Sequence, residues 1–441
     1  MNSPLANPAF RYLFAAQVCS LFGVGMLTVA LSLTAYGIGG AIAGGQVLGL
    51  LLALKMVAYV LLAPLAETGL AKVSRKGAMV SLNFGRMLLL LPMAFVTETW
   101  QVAMLAFLFF MLAAGFTPLF QSVIPDLLPE KETYTKALAW SRIAYTLEAI
   151  LSPAIAAAAL SLVNGEALYY GAASTFLVSV LLLLMARLPA RAAANEEGSF
   201  FQRSGRGLRI YLQTPRLRGL FLLNFALSLA MAWVLVNTVV YAGVRLGDAE
   251  RYYPLLMAHY GVGAAIGAFV VPGLVRRIGE RVTMIVGVFG FAAIATGFSL
   301  LPQLPIPLSA LFWVAFGVAS SLVLTPGGIV ITRSAAKGDR GAVFTAQFSV
   351  SHAGWLVAYP LAGWLASIVS LELALLLLAG ACTIVASAAM LVWPAEDPVE
   401  RAHSHPELPD GHPHLKNSLA AGATHRHVHA YHIDELHPRW I

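Results

Sequence analysis

Apolar runs of about twenty residues recur from one end of this chain to the other, separated by short segments that hold most of its charge. An α-helix rises about 1.5 Å per residue, so each run is long enough to cross about 30 Å of hydrocarbon. With 59% of residues hydrophobic, 11% charged and a mean hydropathy of +0.77, the chain is far more apolar than a soluble domain. The sequence therefore predicts an all-α membrane protein.

Twelve spans are expected, at about 12–36, 46–66, 77–97, 101–125, 137–163, 168–187, 217–243, 253–275, 281–301, 307–332, 342–366 and 371–393. They fall into two six-helix bundles, residues 1–188 and 217–395. A basic linker at 189–216 joins the bundles, and 396–441 forms a disordered His-rich tail. Alternating the loops leaves only Arg245 and Arg251 on one side of the membrane; Lys55, Arg86 and Arg142 lie inside spans, and the rest of the 28 Lys and Arg fall on the other side. By the positive-inside rule both termini and the linker are cytoplasmic, in a multi-pass protein of the inner (plasma) membrane. The seven arginines in and flanking the linker, Arg187, Arg191, Arg203, Arg206, Arg209, Arg216 and Arg218, lie beside an anionic leaflet, so the linker is expected to run along the membrane. A net charge of +7 spread through such loops encodes topology and gives no reason to expect nucleic acid. Cys19 and Cys382 lie in apolar runs without paired spacing and read as packing residues. Met1 to Arg11 leads into a full span with no small-residue cleavage site, so the first span is expected to remain uncleaved.

The halves repeat. Gly69-Leu70-Ala71-Lys72-Val73-Ser74-Arg75-Lys76 is echoed by Gly273-Leu274-Val275-Arg276-Arg277-Ile278-Gly279-Glu280-Arg281, Thr117-Pro118 by Thr325-Pro326, and Pro153 by Pro360. Offsets of about 204 to 208 residues hold at all three places, which indicates a duplicated six-helix unit of the kind that builds alternating-access carriers. These residues resemble the major facilitator superfamily across 1–395. Arg75-Lys76 match the basic pair of that family's loop after the second span, while Ala71 and Arg276 stand where the family has an acid. The segment Ile124-Pro125-Asp126-Leu127-Leu128-Pro129-Glu130-Lys131-Glu132, followed by Lys136-Ala137-Leu138-Ala139, resembles the drug and siderophore exporter branch. The exporters' fifth-span glycine and proline pattern reads here as Glu148, Ser152-Pro153 and Ala156-Ala157, with the proline kept and the glycines replaced. Small residues around Pro153 suit either a packing seam or a flexing point.

Ionisable groups inside a membrane cost roughly 2.5 to 3.5 kcal/mol on insertion scales, so each is a functional candidate. Those expected to serve proton coupling and translocation are Glu148, His259, His352, Arg142, Arg86 and Lys55. Glu148 falls near mid-membrane, where it either pairs with Arg142 or Arg86 or carries protons. The resemblance implies that spans five and eight meet across the halves, as do two and eleven, placing Glu148 with His259 at one seam and Lys55 with His352 at the other. Asn83, Gln121, Asn224, Asn237 and Gln347 add neutral donors, or simply bond helix to helix.

The tail breaks this pattern. His403, His405, His412, His414, His425, His427, His429, His432 and His437 crowd into it, most of them in alternating pairs. Neutral imidazole binds borderline divalent metals, and with no Cys or Met in the tail the candidates are Ni(II), Co(II), Zn(II) and Cu(II). Asp410, Asp434 and Glu435 could complete a coordination sphere. The tail resembles those of bacterial nickel and cobalt resistance exporters of the same superfamily. The sequence thus predicts a monomeric, non-enzymatic, proton-coupled carrier that exports nickel, or cobalt, without a cofactor. Alternatives are an exporter of an amphiphilic drug or siderophore and a membrane-anchored metal sensor or store. No Walker-type phosphate loop occurs, which argues against direct ATP drive.

Overall fold

The computed structural model describes residues 3–62, 74–189, 200–301, 303–336, 339–398, 400–405, 426–434, 436, 437, 439 and 440. Lys72, Arg191, His412, His414, His425, Asp410 and Glu435 lie outside these residues, as do the side chains of Arg142, Arg203 and His427.

The helices in chain order are α1 (Pro8–Val57), α2 (Arg75–Met93), α3 (Thr99–Leu127), α4 (Lys131–Leu160), α5 (Ala167–Met185) and α6 (Phe200–Gln213). They continue with α7 (Pro215–Arg245), α8 (Ala249–Ser299), α9 (Ile306–Leu324), α10 (Gly327–Ser334), α11 (Arg340–Ile368) and α12 (Leu371–Val392). Among the described residues, seven helical segments are long and apolar enough to cross a membrane. Two of these are double. At 50 residues, α1 would reach about 75 Å if straight, more than twice the hydrocarbon thickness. It bends at Gly40, whose φ of 59° and ψ of −151° suit glycine, and so supplies the first two spans. Gly279, with φ of 77°, divides the 51-residue α8 in the same way. The loops expected at 37–45 and 276–280 are therefore helical apart from single glycines. α2, α4 and α11 are of spanning length but more polar, and they complete twelve legs.

Capping fixes the start of the first leg. Asn7 accepts from the backbone N–H of Ala9 at 2.9 Å and of Phe10 at 3.2 Å, and Pro8 occupies the first helical position. Thr325-Pro326 separates α9 from α10, whereas Thr117-Pro118 leaves α3 continuous. The same dipeptide thus breaks a helix in one half only.

The duplication is also legible in ion pairs. Arg75, at the start of α2, pairs with Asp126 near the end of α3. At the equivalent places of the second half, Glu280 pairs with Arg333 at 3.3 Å, so the bridge is kept with its charges exchanged.

Between the halves, α1 packs on α11 and α4 on α8, the two seams that the sequence leads one to expect. The α1–α11 crossing is very close: a Cβ on Gly363 would lie 2.1 Å from the Gly45 carbonyl oxygen. At this same end of the bundle, away from both termini, Gln46 Nε2 donates to Ser367 Oγ at 2.6 Å and Ser32 Oγ bonds Tyr253 OH at 2.8 Å. The second half is centred on Trp233, Trp313, Phe291, Phe298 and Phe316, all buried, with ring centroids of Phe298 and Trp313 5.4 Å apart. Phe95, Phe269 and Leu391 are among the apolar side chains that face outward, as hydrocarbon contact requires.

Part of the linker is helical. In α6, Ile210 and Tyr211 are buried while Arg209 and Leu212 face outward. Arg206 Nε pairs with Asp339 Oδ1 at 2.7 Å, and Tyr211 OH bonds Gln347. This helix is thus held to α11 by protein contacts as well as by whatever attraction its arginines have for lipid. Arg206→Gln is expected to hasten proteolysis of the linker in native membranes several-fold; unchanged cleavage would show that the Asp339 pair does not hold it.

The tail, expected to be disordered, is described in part. Among its described residues, β1 (Glu400–Ser404) and β2 (Arg426–Ala430) form an antiparallel pair, with His403 opposite His427 and Arg401 opposite His429. Exposure alternates along β1, with Arg401 and His403 on the less exposed face, which is the two-residue period of a strand.

Candidate functional site

Depth along the helices decides which charged groups can meet. Lys55 lies about fifteen residues beyond the Gly40 bend and Glu148 about twelve before the end of α4, so both sit roughly 20 Å from the same end of the bundle. The Glu148 carboxylate lies against the first leg of α1, where a Cβ on Gly25 would be 2.7 Å from Glu148 Oε1. Its charge interacts with that of Lys55 on the second leg. Lys55 Nζ also stands 5.8 Å from the Tyr59 ring centroid and 5.6 Å from that of Phe110, cation–π distances that replace part of its lost hydration. Lys55 reaches the other half too, since its charge acts on His352. The His352 ring lies 5.8 Å from Tyr59 and 3.9 Å from Phe348, with Nδ1 2.7 Å from the Phe348 carbonyl oxygen. A carboxylate, an ammonium, a phenol and an imidazole thus gather around the α1–α11 seam.

Arg86 serves another network. It donates to Ser20 Oγ at 3.2 Å and to Asn83 Oδ1, and its guanidinium lies 4.6 Å from the Phe176 ring and 4.8 Å from that of Phe116. Asn83 Nδ2 in turn donates to Ser179 Oγ at 2.7 Å, so Arg86 joins α2 to α1, α3 and α5. The sequence offers Glu148 either an arginine partner, Arg86 or Arg142, or a proton-carrying role; the Arg142 side chain lies outside the described residues, and Lys55 is a further charge acting on Glu148. The expected Glu148–His259 neighbourhood has no described contact, and His259 Nδ1 is 2.8 Å from the Leu255 carbonyl oxygen one turn earlier. Tyr59 is absent from the sequence-derived candidates. Its one signal was the four-residue spacing from Lys55, which puts both on one helix face.

The tail holds a second constellation. One nitrogen each from His403, His405 and His437 lies within 4.8 Å of the other two. His437 Nε2 is 2.9 Å from His403 Nε2 and 3.1 Å from His405 Nε2. His429 stands beside them, its ring 4.6 Å from that of His403. His432 is set apart and meets the backbone of Ser334 at the end of α10. Burial lowers the pKa of His437, against the opposing pull of Asp434, and His405 and His429 lower it further. Burial likewise lowers that of His432. Both shifts favour the neutral imidazole, which is the form that ligates a metal. Three such rings, with no thiolate among them, suit a borderline divalent ion.

Twelve legs in two repeated halves are the architecture of a secondary carrier and not of an enzyme. The Major Facilitator Superfamily profile matches residues 13–311 and 250–426, and the chain belongs to that family. A comparison with the curated proteins returns no match. Among solved structures, the chain is similar to the nucleoside transporter NupG, at 13% identity and a TM-score of 0.69 over 87% of this chain and 100% of that one. It is similar to a bacterial homologue of the human lysosomal transporter Spinster in an inward-facing, unoccupied conformation, at 15% identity and 0.67 over 87% and 97%. It is also similar to a POT family transporter in complex with 5-aminolevulinic acid, at 13% identity and 0.70 over 87% and 96%. At these identities the likeness is one of fold.

Proposed function

We propose that this carrier exports a divalent transition metal, nickel first and cobalt second, from the cytoplasm in exchange for protons. The observation that carries the reading is the convergence of His403, His405 and His437 within 4.8 Å, at the end of the bundle where the linker lies. Basic loops assign that end to the cytoplasm, and the close α1–α11 crossing then seals the outer side. With the outer side sealed, the carrier on this reading faces inward, the state in which an exporter loads. Glu148 carries the proton, and Lys55 compensates its charge when the proton leaves.

The Lys55–Glu148 pair favours one second reading. Opposite charges that act on each other in a low-dielectric site suit a small organic zwitterion, and the similar structures include carriers named for nucleosides and peptides and one bound to 5-aminolevulinic acid. Export of an amphiphilic organic compound is therefore the competing hypothesis.

Growth of cells with and without the gene against nickel, cobalt, zinc and a panel of drugs, together with whole-cell metal content, separates the two. Several-fold lower cellular nickel or cobalt and matching tolerance are expected. Protection against drugs alone would overturn the metal reading.

A further inference from the structure

We propose that His403, His405 and His437 form a discrete site for a single divalent first-row metal ion, and that this ion clasps the tail onto the rim of the second half. The proposal shares the metal chemistry of the preceding reading but does not require that the metal be the cargo.

Tautomers carry the first part. His437 Nδ1 is 2.8 Å from Asp434 Oδ1, and His403 Nδ1 is 3.1 Å from the Arg401 carbonyl oxygen. Carbonyl and carboxylate oxygens only accept, so in both rings Nδ1 carries the hydrogen. In the neutral ring Nε2 is then a lone pair, and the two Nε2 atoms face each other at 2.9 Å. Two ring nitrogens at that distance share either a proton or a metal cation. A proton would serve two nitrogens, but His405 Nε2 makes a third, 3.1 Å from His437 Nε2. Three imidazole nitrogens bonded at about 2.0–2.1 Å to one tetrahedral ion stand roughly 3.3 Å apart; two of the pairs here are at 2.9 and 3.1 Å, and all three atoms lie within 4.8 Å of one another. The outer bonds agree: a ligating histidine ordinarily gives its other N–H to a carboxylate or a backbone carbonyl, as His437 and His403 do here.

The second part lies in where these rings are attached. His403 belongs to β1 and His405 follows it directly, whereas His437 is in the last turn of the chain. An ion bound to all three ties that turn to the strand. Three residues beyond His437, the Trp440 ring lies 5.0 Å from the Arg216 guanidinium and 4.8 Å from that of Arg401. Arg216 opens α7, is buried, and pairs with Asp397 at 3.0 Å; Arg401 reaches the same carboxylate oxygen at 3.4 Å. Trp393, just past α12, donates Nε1–H to Asp397 Oδ2 at 3.2 Å, and Arg333 from α10 bonds the Asp397 carbonyl. Fixing His437 therefore fixes Trp440 over a node where three helix ends meet.

The test uses purified full-length protein in lipid nanodiscs titrated with Co(II), followed by visible absorption and by trypsin cleavage after Arg401 and Arg439. One equivalent with the intense spectrum of tetrahedral Co(II) is expected, with cleavage slowed at least fivefold. His437→Ala should lose both effects. Trp440→Ala should keep the spectrum and lose the protection, because it leaves the ligands and removes the clasp. Several weak equivalents with a pale octahedral spectrum, or wild-type behaviour of His437→Ala, would overturn the site; protection unaltered in Trp440→Ala would overturn the clasp. Transport is not read in this experiment, so a failure of the export hypothesis in cells leaves its outcome intact.

Discussion

Glu148→Gln is expected to reduce gradient-driven substrate accumulation by roughly tenfold or more, the kinetic equivalent of about 1.4 kcal/mol. The amide keeps the shape of the side chain against Gly25 but cannot take or release a proton. It also leaves Lys55 beside a neutral group, so some loss of folded protein is expected as well, on the scale of roughly 2.5 to 3.5 kcal/mol for an intramembrane charge. The two effects separate in a double variant: Lys55→Met with Glu148→Gln should recover expression and remain uncoupled. Glu148→Asp should keep partial activity. Inverted vesicles with an imposed pH gradient provide the measurement. Wild-type, gradient-dependent accumulation by Glu148→Gln would make the carboxylate a structural partner of Lys55 and place proton movement elsewhere.

Gly363→Val should nearly abolish transport, for a steric reason. Its Cβ would lie 2.1 Å from the Gly45 carbonyl oxygen, a backbone atom that cannot rotate away, so α1 and α11 must separate. Separation would break the Gln46–Ser367 hydrogen bond and open the end of the bundle away from the termini. A disulfide between Gln46→Cys and Ser367→Cys, in a background with Cys19 and Cys382 replaced, reports this directly. It should form with Gly363 present and fail with Val there. Efficient cross-linking in the valine variant would mean that the helices cross with slack the structure does not show.

Spans were legible because hydrocarbon thickness fixes their length, whatever the side chains do. The bends were not, since turning a helix takes one glycine: at Gly40 and Gly279 the chain reverses where a loop of several residues is the natural expectation. Counting residues placed Glu148 near mid-membrane, but its partner depends on how α1 and α4 are rotated about their axes, which hydropathy leaves open. Equal depth of Lys55 and Glu148 was the available clue. In the tail, composition pointed to metal chemistry, while the selection of His403, His405 and His437 follows from strand pairing and the return of the final turn. Neither leaves a trace in composition. The charge-exchanged pairs Arg75–Asp126 and Glu280–Arg333 were hidden for a different reason, because a repeat sought by residue identity misses one conserved as an interaction.

The Asp397 node bears on where this protein can be cut. Hydropathy ends the second bundle at about residue 395, and a truncation there looks as if it would remove the tail alone. It would also remove the carboxylate that neutralises Arg216, whose side chain is 1% exposed, together with the indole that covers it. A buried charge stripped of its partner typically costs about 3–5 kcal/mol. A shortened protein that accumulates poorly or loses activity would then report an orphaned arginine at the foot of α7, with no bearing on what the histidines do. Substituting the imidazoles one at a time, with the last residues left in place, keeps those two consequences apart.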